Sequence, residues 1–137
     1  MSTNKNFSVL FVPSGTKITP ATRYRIYQYL PYLKEQGADY KIYSIISHKN
    51  SLKMIKSPTF NKFQKGIYYF QVIMDKIIRA VKVIFMASRF DAVFLQRTTF
   101  PFGLERFLKM RNKNIVFDID DSIYMPDEEE GSILNAI

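Results

Sequence analysis

Short apolar runs alternate with segments of helical periodicity along this chain. Four runs rich in β-forming residues predict strands at Phe7–Pro13, Tyr40–Ile46, Phe90–Gln96 and Asn114–Ile119. The polar segment between residues 47 and 62 has no strong period, and no element is predicted there.

Three segments between these runs have apolar residues at helical spacing. The first begins at Pro20 or Thr22 and ends at a glycine cap, Gly37, while the second covers residues 63–88 and the third covers Pro101–Met110. This order of strands and helices predicts the α/β class. We expect a Rossmann-like parallel sheet with helices on both faces, in one domain that takes up the whole chain.

Rare residue types exclude several kinds of site. No cysteine is present, so neither a disulfide framework nor a thiolate metal site can form. The single histidine, His48, has no Ser, Cys or acidic partner at a suggestive spacing, and we interpret it as a surface residue. The apolar run that stops at Pro13 is too short for a signal peptide, so a cytoplasmic location is expected.

Charge is distributed unevenly along the chain. Residues 1–117 hold all 20 Lys and Arg against 5 acids, and residues 118–137 hold 7 acids and no base, so the two parts carry +15 and −7 and the chain +8. A basic body suits a polyanionic partner, which can be nucleic acid, an anionic membrane surface or phosphorylated small molecules, and the charge alone does not choose among them. No RNP-like motif, zinc finger or basic recognition helix occurs, so no nucleic-acid partner is expected. The acidic tail at residues 126–137 is expected to be disordered.

The longest predicted helix, residues 63–88, carries charged side chains opposite its apolar stripe. These charges exclude a membrane-spanning helix, and we interpret the stripe as core packing. The Lys and Arg face also suits contact with anionic lipid on the inner membrane face, as in a peripheral protein.

Polar side chains follow the first strand at the sheet edge where α/β folds bind ligands. Ser14 and Gly15 come directly after this strand, and Arg23 and Arg25 begin the next helix. Backbone amides at a helix start, together with guanidinium groups, can form a phosphate or carboxylate site. The loop matches neither GxxxxGK[ST] nor GxGxxG, and the alternative is a solvated loop with surface arginines.

The third strand ends in a second polar group. Arg97, Thr98 and Thr99 would project a guanidinium and two hydroxyls into the same crevice. The alternative is that Arg97 pairs with the acids that follow the fourth strand.

Those acids are Asp118, Asp120 and Asp121, and they need cations, a metal or amide donors beside a buried strand. One interpretation is a DxD site for Mg²⁺ or Mn²⁺ carrying a nucleotide diphosphate. A second is a haloacid-dehalogenase-like phosphatase, although that family places its DxD on the first strand. A third is structural, with carboxylates that accept hydrogen bonds from the arginine loops.

The ordered segments VLFVPSG, RYRIYQYLPYLKEQG, FDAVFLQRTTFP and NIVFDIDDSIY resemble the N-terminal domain of family 4 GT-B glycosyltransferases. The resemblance covers residues 7–125, least specifically at 47–88. It implies transfer of a sugar from a nucleotide-sugar donor to an acceptor, with this domain shaping the acceptor side of the cleft. By the resemblance, the loop at Gly15 approaches donor phosphates or acceptor, the two helix-start arginines brace the cleft, and the three acids border it. No metal or other cofactor is implied.

The resemblance also implies a partner domain. A donor-binding C-terminal domain has no counterpart in these residues, because Asp127–Glu130 is a plain acidic run. We therefore expect an incomplete GT-B N-terminal domain that works with a separate donor-binding domain and does not catalyse alone, with its catalytic residues unassigned. Two alternatives remain: a non-catalytic flavodoxin- or receiver-like binding module, and a DxD metal-dependent phosphoryl-transfer enzyme.

Overall fold

The computed structural model describes residues 6–56 and 59–119, with side chains 54–56 left out, and within these ranges the chain forms one parallel sheet. The predicted tail at residues 126–137 therefore lies outside the described residues. The strands are β1 (Ser8–Pro13), β2 (Asp39–Ile42), β3 (Ala92–Gln96) and β4 (Ile115–Asp118). They lie side by side in the order β2-β1-β3-β4, and every neighbouring pair is parallel.

Helices connect consecutive strands. After β1 come α1 (Pro20–Arg25), a 3₁₀ turn at Tyr27–Tyr29 and α2 (Leu30–Glu35). Between β2 and β3 lie α3 (His48–Lys56) and α4 (Lys62–Ala87). A 3₁₀ turn at Pro101–Gly103 and α5 (Glu105–Arg111) precede β4.

Two hydrophobic cores lie on opposite faces of the sheet, because successive residues of a strand point to opposite faces. Leu10 and Val12 pack with α4 and α5 in the larger core. Phe11, between them in sequence, packs with Ile26 and Leu30 of the α1–α2 segment in the smaller core. The predicted α/β class, with a parallel sheet and helices on both faces, is confirmed.

Three local predictions differ from the structure. The helix predicted from Pro20 to Gly37 is broken at Ile26, whose φ and ψ are −122° and −64°, and Pro31 at the start of α2 cannot donate a helical hydrogen bond. The second strand ends at Ile42 rather than Ile46. The segment with no predicted element contains α3, which is held by tertiary contacts that a periodicity does not reveal.

Side-chain caps define the ends of α4. At its start, Asn61 Oδ1 accepts a hydrogen bond from Gln64 N at 2.8 Å and Gln64 Oε1 accepts one from Asn61 N at 3.1 Å, forming a capping box. At its end, buried Asn112 donates from Nδ2 to Ala87 O at 2.9 Å and to Phe90 O at 2.8 Å.

Among the described residues, no helix combines the length and apolarity needed to cross a membrane.

Candidate functional site

The loop after β1 turns tightly over the carboxyl edge of the sheet. Ser14 N donates to Gln96 O at 3.0 Å, which ties this loop to the end of β3. Buried Gly15 lies so close to Thr19 that an added Cβ would overlap Thr19 Oγ1 and stand 2.8 Å from Thr19 Cβ. Ser44 Oγ donates to Gly15 O at 2.8 Å from the other side. Only glycine fits this close approach of the Thr19 side chain to the backbone.

The loop after β3 changes direction at Arg97. Its φ of 47° lies in the left-handed region, which residues other than glycine adopt at a cost of roughly 1–2 kcal/mol. Arg97 N donates to Asp118 O at 3.0 Å, so the turn is anchored to the end of β4. Buried Thr98 points inward, and its hydroxyl donates to Val12 O at 2.8 Å and Gln96 O at 3.0 Å. The expectation that both threonine hydroxyls enter the crevice is thus wrong for Thr98.

These two loops form a wall of an open pocket of about 610 Å³. Arg97 and Lys76 supply two cationic groups, and hydroxyls come from the β1 loop and from α3. The described residues that line it are Ser14, Gly15, Ile18, Thr19, Pro20, Ile46, Ser51, Lys76 and Arg97. Of the predicted site residues, the structure brings Ser14, Gly15 and Arg97 together here.

Lys76 was missed as a site residue by sequence reasoning. In the sequence the charges of residues 63–88 indicate a solvated or lipid-facing side, whereas in the structure Lys76 lines the pocket with residues of the β1 loop. Ser51 was missed because α3 was not predicted. No local signal in the sequence identifies either residue, since both depend on how the two helices pack.

A polar network beside Lys76 joins α4 to the segment after β2. Asp75 accepts hydrogen bonds from Ser47 N at 2.8 Å, Asn50 Nδ2 at 2.8 Å and Arg79 Nε at 3.0 Å. Burial alone would raise the pKa of Asp75, but these hydrogen bonds outweigh it and hold the pKa below its ordinary value. Arg79 also donates to Ser44 O at 3.0 Å. The carboxylate therefore fixes the part of α4 that carries Lys76.

Arg25 and Asp118 form an ion pair at the end of β4. Arg25 Nη1 lies 3.0 Å from Asp118 Oδ1 and 2.9 Å from Oδ2, and both side chains are partly exposed. Arg25 and Asp118 are not part of the pocket lining. The pair joins α1 to the sheet edge. It agrees with the interpretation in which Asp118 accepts hydrogen bonds from an arginine, and that arginine is Arg25.

The remaining predicted residues lie elsewhere. Arg23 is exposed and borders a shallow depression with Lys17, Tyr24, Tyr27 and Gln28, apart from the pocket. Asp120 and Asp121 lie outside the described residues, so the structure does not test the DxD interpretation. In the described ranges, no group of three or more His, Asp or Glu side chains is placed to hold a metal ion.

A buried polar pair lies behind the β1 and β3 loops. Fully buried Thr22 donates from Oγ1 to Gln96 Oε1 at 3.2 Å, which joins α1 to the end of β3. Gln96 Nε2 has no hydrogen-bond acceptor among the described residues. An unpaired buried donor costs about 1–3 kcal/mol.

A second pocket, of about 440 Å³, lies between α5 and strands β3 and β4. Its walls are mainly apolar, with Leu95, Phe100, Leu108, Ile115 and Phe117 among them.

No known protein family, curated protein or solved structure matches this chain.

Proposed function

We propose that this chain forms the acceptor side of a nucleotide-sugar-dependent glycosyltransferase of the GT-B type, and that its cationic pocket receives a negatively charged group of donor or acceptor. The observation that carries this proposal is the pocket at the carboxyl edge of the sheet, where Lys76 and Arg97 lie together with the hydroxyl groups of Ser14, Thr19 and Ser51.

The pocket suits an anion for two reasons. Lys76 and Arg97 both line the pocket, and positively charged side chains attract an anion and form strong hydrogen bonds to its oxygens. Hydroxyl groups of Ser14, Thr19 and Ser51 line the same pocket and can donate hydrogen bonds to phosphate oxygens. Parallel α/β sheets bind ligands at this edge, and the left-handed turn at Arg97 places a guanidinium there at the expense of backbone strain.

In such a reaction, the acceptor hydroxyl attacks the anomeric carbon while negative charge develops on the leaving diphosphate. Cations in the pocket would stabilise that charge, and the tight turn at Gly15 would allow the backbone close to it. The ion pair between Arg25 and Asp118 would hold the end of β4 at the cleft border. The proposal includes a separate donor-binding domain, a cytoplasmic location and a peripheral position on the inner membrane face.

Calorimetric titration with inorganic pyrophosphate tests the pocket. Wild-type protein should bind, and Lys76→Ala should weaken the affinity about tenfold, which corresponds to about 1.4 kcal/mol. Lys113→Gln is the control, because it also removes one positive charge, and Lys113 is exposed and precedes β4 at the opposite edge of the sheet. Equal losses in the two variants would overturn the assignment of the pocket.

Saturation-transfer NMR tests the sugar chemistry. Saturation should reach sugar protons of a nucleotide sugar or of a glycoside acceptor when each is mixed with the full chain. Pyrophosphate binding without any sugar contact would instead favour the non-catalytic binding module. Tight Mg²⁺ or Mn²⁺ binding that Asp120→Asn abolishes would favour the phosphoryl-transfer enzyme.

A further inference from the structure

An uncovered apolar stripe runs along the outer side of α4. Its members follow one another at spacings of four or three residues, which places them on one line of an α-helix. All are exposed, with Phe63 at 77% and Phe70 at 67%. We call this line the α4 stripe; it consists of Phe63, Ile67, Phe70, Met74, Ile78 and Val81, and Phe85 extends it by one turn.

The α4 stripe is separate from the core-facing side of the same helix, so the interpretation of the apolar residues of this helix as core packing is wrong for the members of the stripe. Ala80, Val83, Ile84 and Ala87 are buried in the larger core, so packing against the sheet already uses that side. From Phe63 to Phe85 the stripe extends about 33 Å at 1.5 Å per residue. A continuous exposed apolar surface of this length is typical of an interaction site rather than of scattered surface residues.

Cationic side chains border the α4 stripe. Lys49 and Lys53 of α3 line a shallow groove together with Phe70, Met74 and Ile78. At the other end, the Arg111 guanidinium lies over the Phe85 ring, 5.5 Å from its centre. Asp75 also lines the groove, but its carboxylate is engaged by Arg79.

The combination of an apolar stripe and bordering cationic side chains favours an anionic partner. Residues 48–82 contain eight Lys or Arg and one acid, so two copies that joined their α4 stripes would bring like charges together. A straight apolar line with flanking cations matches a lipid interface, into which apolar side chains insert while Lys and Arg meet the headgroup phosphates. A planar lipid surface can cover such a line without a complementary groove.

We infer that α3 and α4 form a membrane-docking surface, with the α4 stripe inserted in the interface of an anionic lipid layer and Lys49 and Lys53 on its headgroups. This inference specifies the peripheral part of the proposed function. Lys76 follows Met74 by two residues and therefore lies on nearly the opposite side of the helix. Docking can thus be tested apart from the pocket.

Co-sedimentation of the full chain with vesicles tests the inference. The chain should bind vesicles of equimolar phosphatidylcholine and phosphatidylglycerol, and bind vesicles of phosphatidylcholine alone much more weakly. Lys49→Gln combined with Lys53→Gln should weaken binding to the anionic vesicles by about tenfold or more, because each lysine near the surface contributes roughly fivefold. Equal binding to both vesicle types, or to neither, would overturn the inference.

The apolar contribution needs a matched aromatic control. Phe63→Ser combined with Phe70→Ser should reduce vesicle binding about tenfold while the affinity for pyrophosphate stays unchanged. Tyr24→Ser combined with Tyr32→Ser removes two exposed aromatic rings from α1 and α2, on the other face of the sheet, and should leave vesicle binding intact. Equal loss in both double variants would overturn the inference. So would a wild-type dimer in sedimentation velocity that the phenylalanine variant dissociates, because the stripe would then join two copies.

Discussion

At the scale of single residues, the site depends on close approaches and unusual backbone angles. A sequence shows a glycine at position 15 and an arginine at position 97 but gives no backbone angle, so the chemistry of these loops was predictable while their geometry was not. Arg25 and Asp118 illustrate the same limit. The sequence indicates an ion pair between the arginine loops and the acids, but it does not show that Arg25, 93 positions from Asp118, supplies the guanidinium.

Gly15→Ala should lower the free energy of unfolding by about 2 kcal/mol, because the new Cβ overlaps Thr19 and the tight turn must open. Urea denaturation followed by circular dichroism measures the change. Gly66→Ala is the control: no atom lies within 4 Å of its added Cβ, and alanine in a helix should raise the free energy of unfolding by about 1 kcal/mol. Equal effects of the same sign would contradict the role of close packing at Gly15.

Arg97 tests the backbone strain separately from the charge. Arg97→Gly and Arg97→Ala both remove the guanidinium, so both should weaken pyrophosphate binding to a similar degree. Glycine relieves the left-handed φ of 47°, so the Gly variant should be more stable than the Ala variant by about 1 kcal/mol in urea denaturation. Identical stabilities would mean that the turn relaxes when the side chain is lost.

At the scale of secondary-structure elements, strands and the long α4 were predictable, whereas short helices held by tertiary contacts were not. Each of the four strands lies in a compact run of apolar residues, and α4 has a long stretch of helical periodicity and a capping box. The α3 segment is short and mostly polar, and Ser47 beside its N-terminus is held by the carboxylate of Asp75, 28 positions away. A position such as Lys76 therefore enters the site only through the packing of two elements.

Asp75 makes this packing dependent on pH. Its pKa in the folded protein lies below the ordinary value of 3.8, so its contribution to stability is complete above that value and is lost as the pH falls through the folded pKa. Asp75→Asn should lower the free energy of unfolding at neutral pH by about 2 kcal/mol, because the hydrogen bonds to a charged acceptor are lost. The measurement is urea denaturation of both proteins from pH 7 down to pH about 3.

The difference between wild type and Asp75→Asn should shrink once the pH falls below the ordinary carboxyl pKa of 3.8. Glu35→Gln, which removes an exposed carboxylate at the end of α2, is the control and should have little effect at either pH. A constant difference between wild type and Asp75→Asn across the range would contradict ionic stabilisation at this position.

At the scale of the whole molecule, the class and direction of the sheet followed from the alternation of strands and helices. The order β2-β1-β3-β4 is a tertiary property, and it decides which loops meet at the carboxyl edge. Because β1 and β3 are neighbours, the Gly15 loop and the Arg97 turn face one pocket, whereas Arg25 joins the edge strand β4. Membership of this pocket could be predicted for the strand-end residues and not for Lys76.

In the proposed function, an anion is attracted both by distant positive charges of the molecule and by contacts in the pocket, and salt separates these two contributions. Between about 0.1 M and 1 M NaCl the Debye length falls from about 10 Å to about 3 Å, so distant charges are screened while contacts in the pocket are screened less. In calorimetric titration with pyrophosphate, wild type should therefore bind several-fold more weakly at the higher salt. Any small defect of Lys113→Gln at low salt should vanish there, whereas the defect of Lys76→Ala should persist. If the Lys76→Ala defect also vanished, Lys76 would act through the general field of the molecule and would not contact the anion.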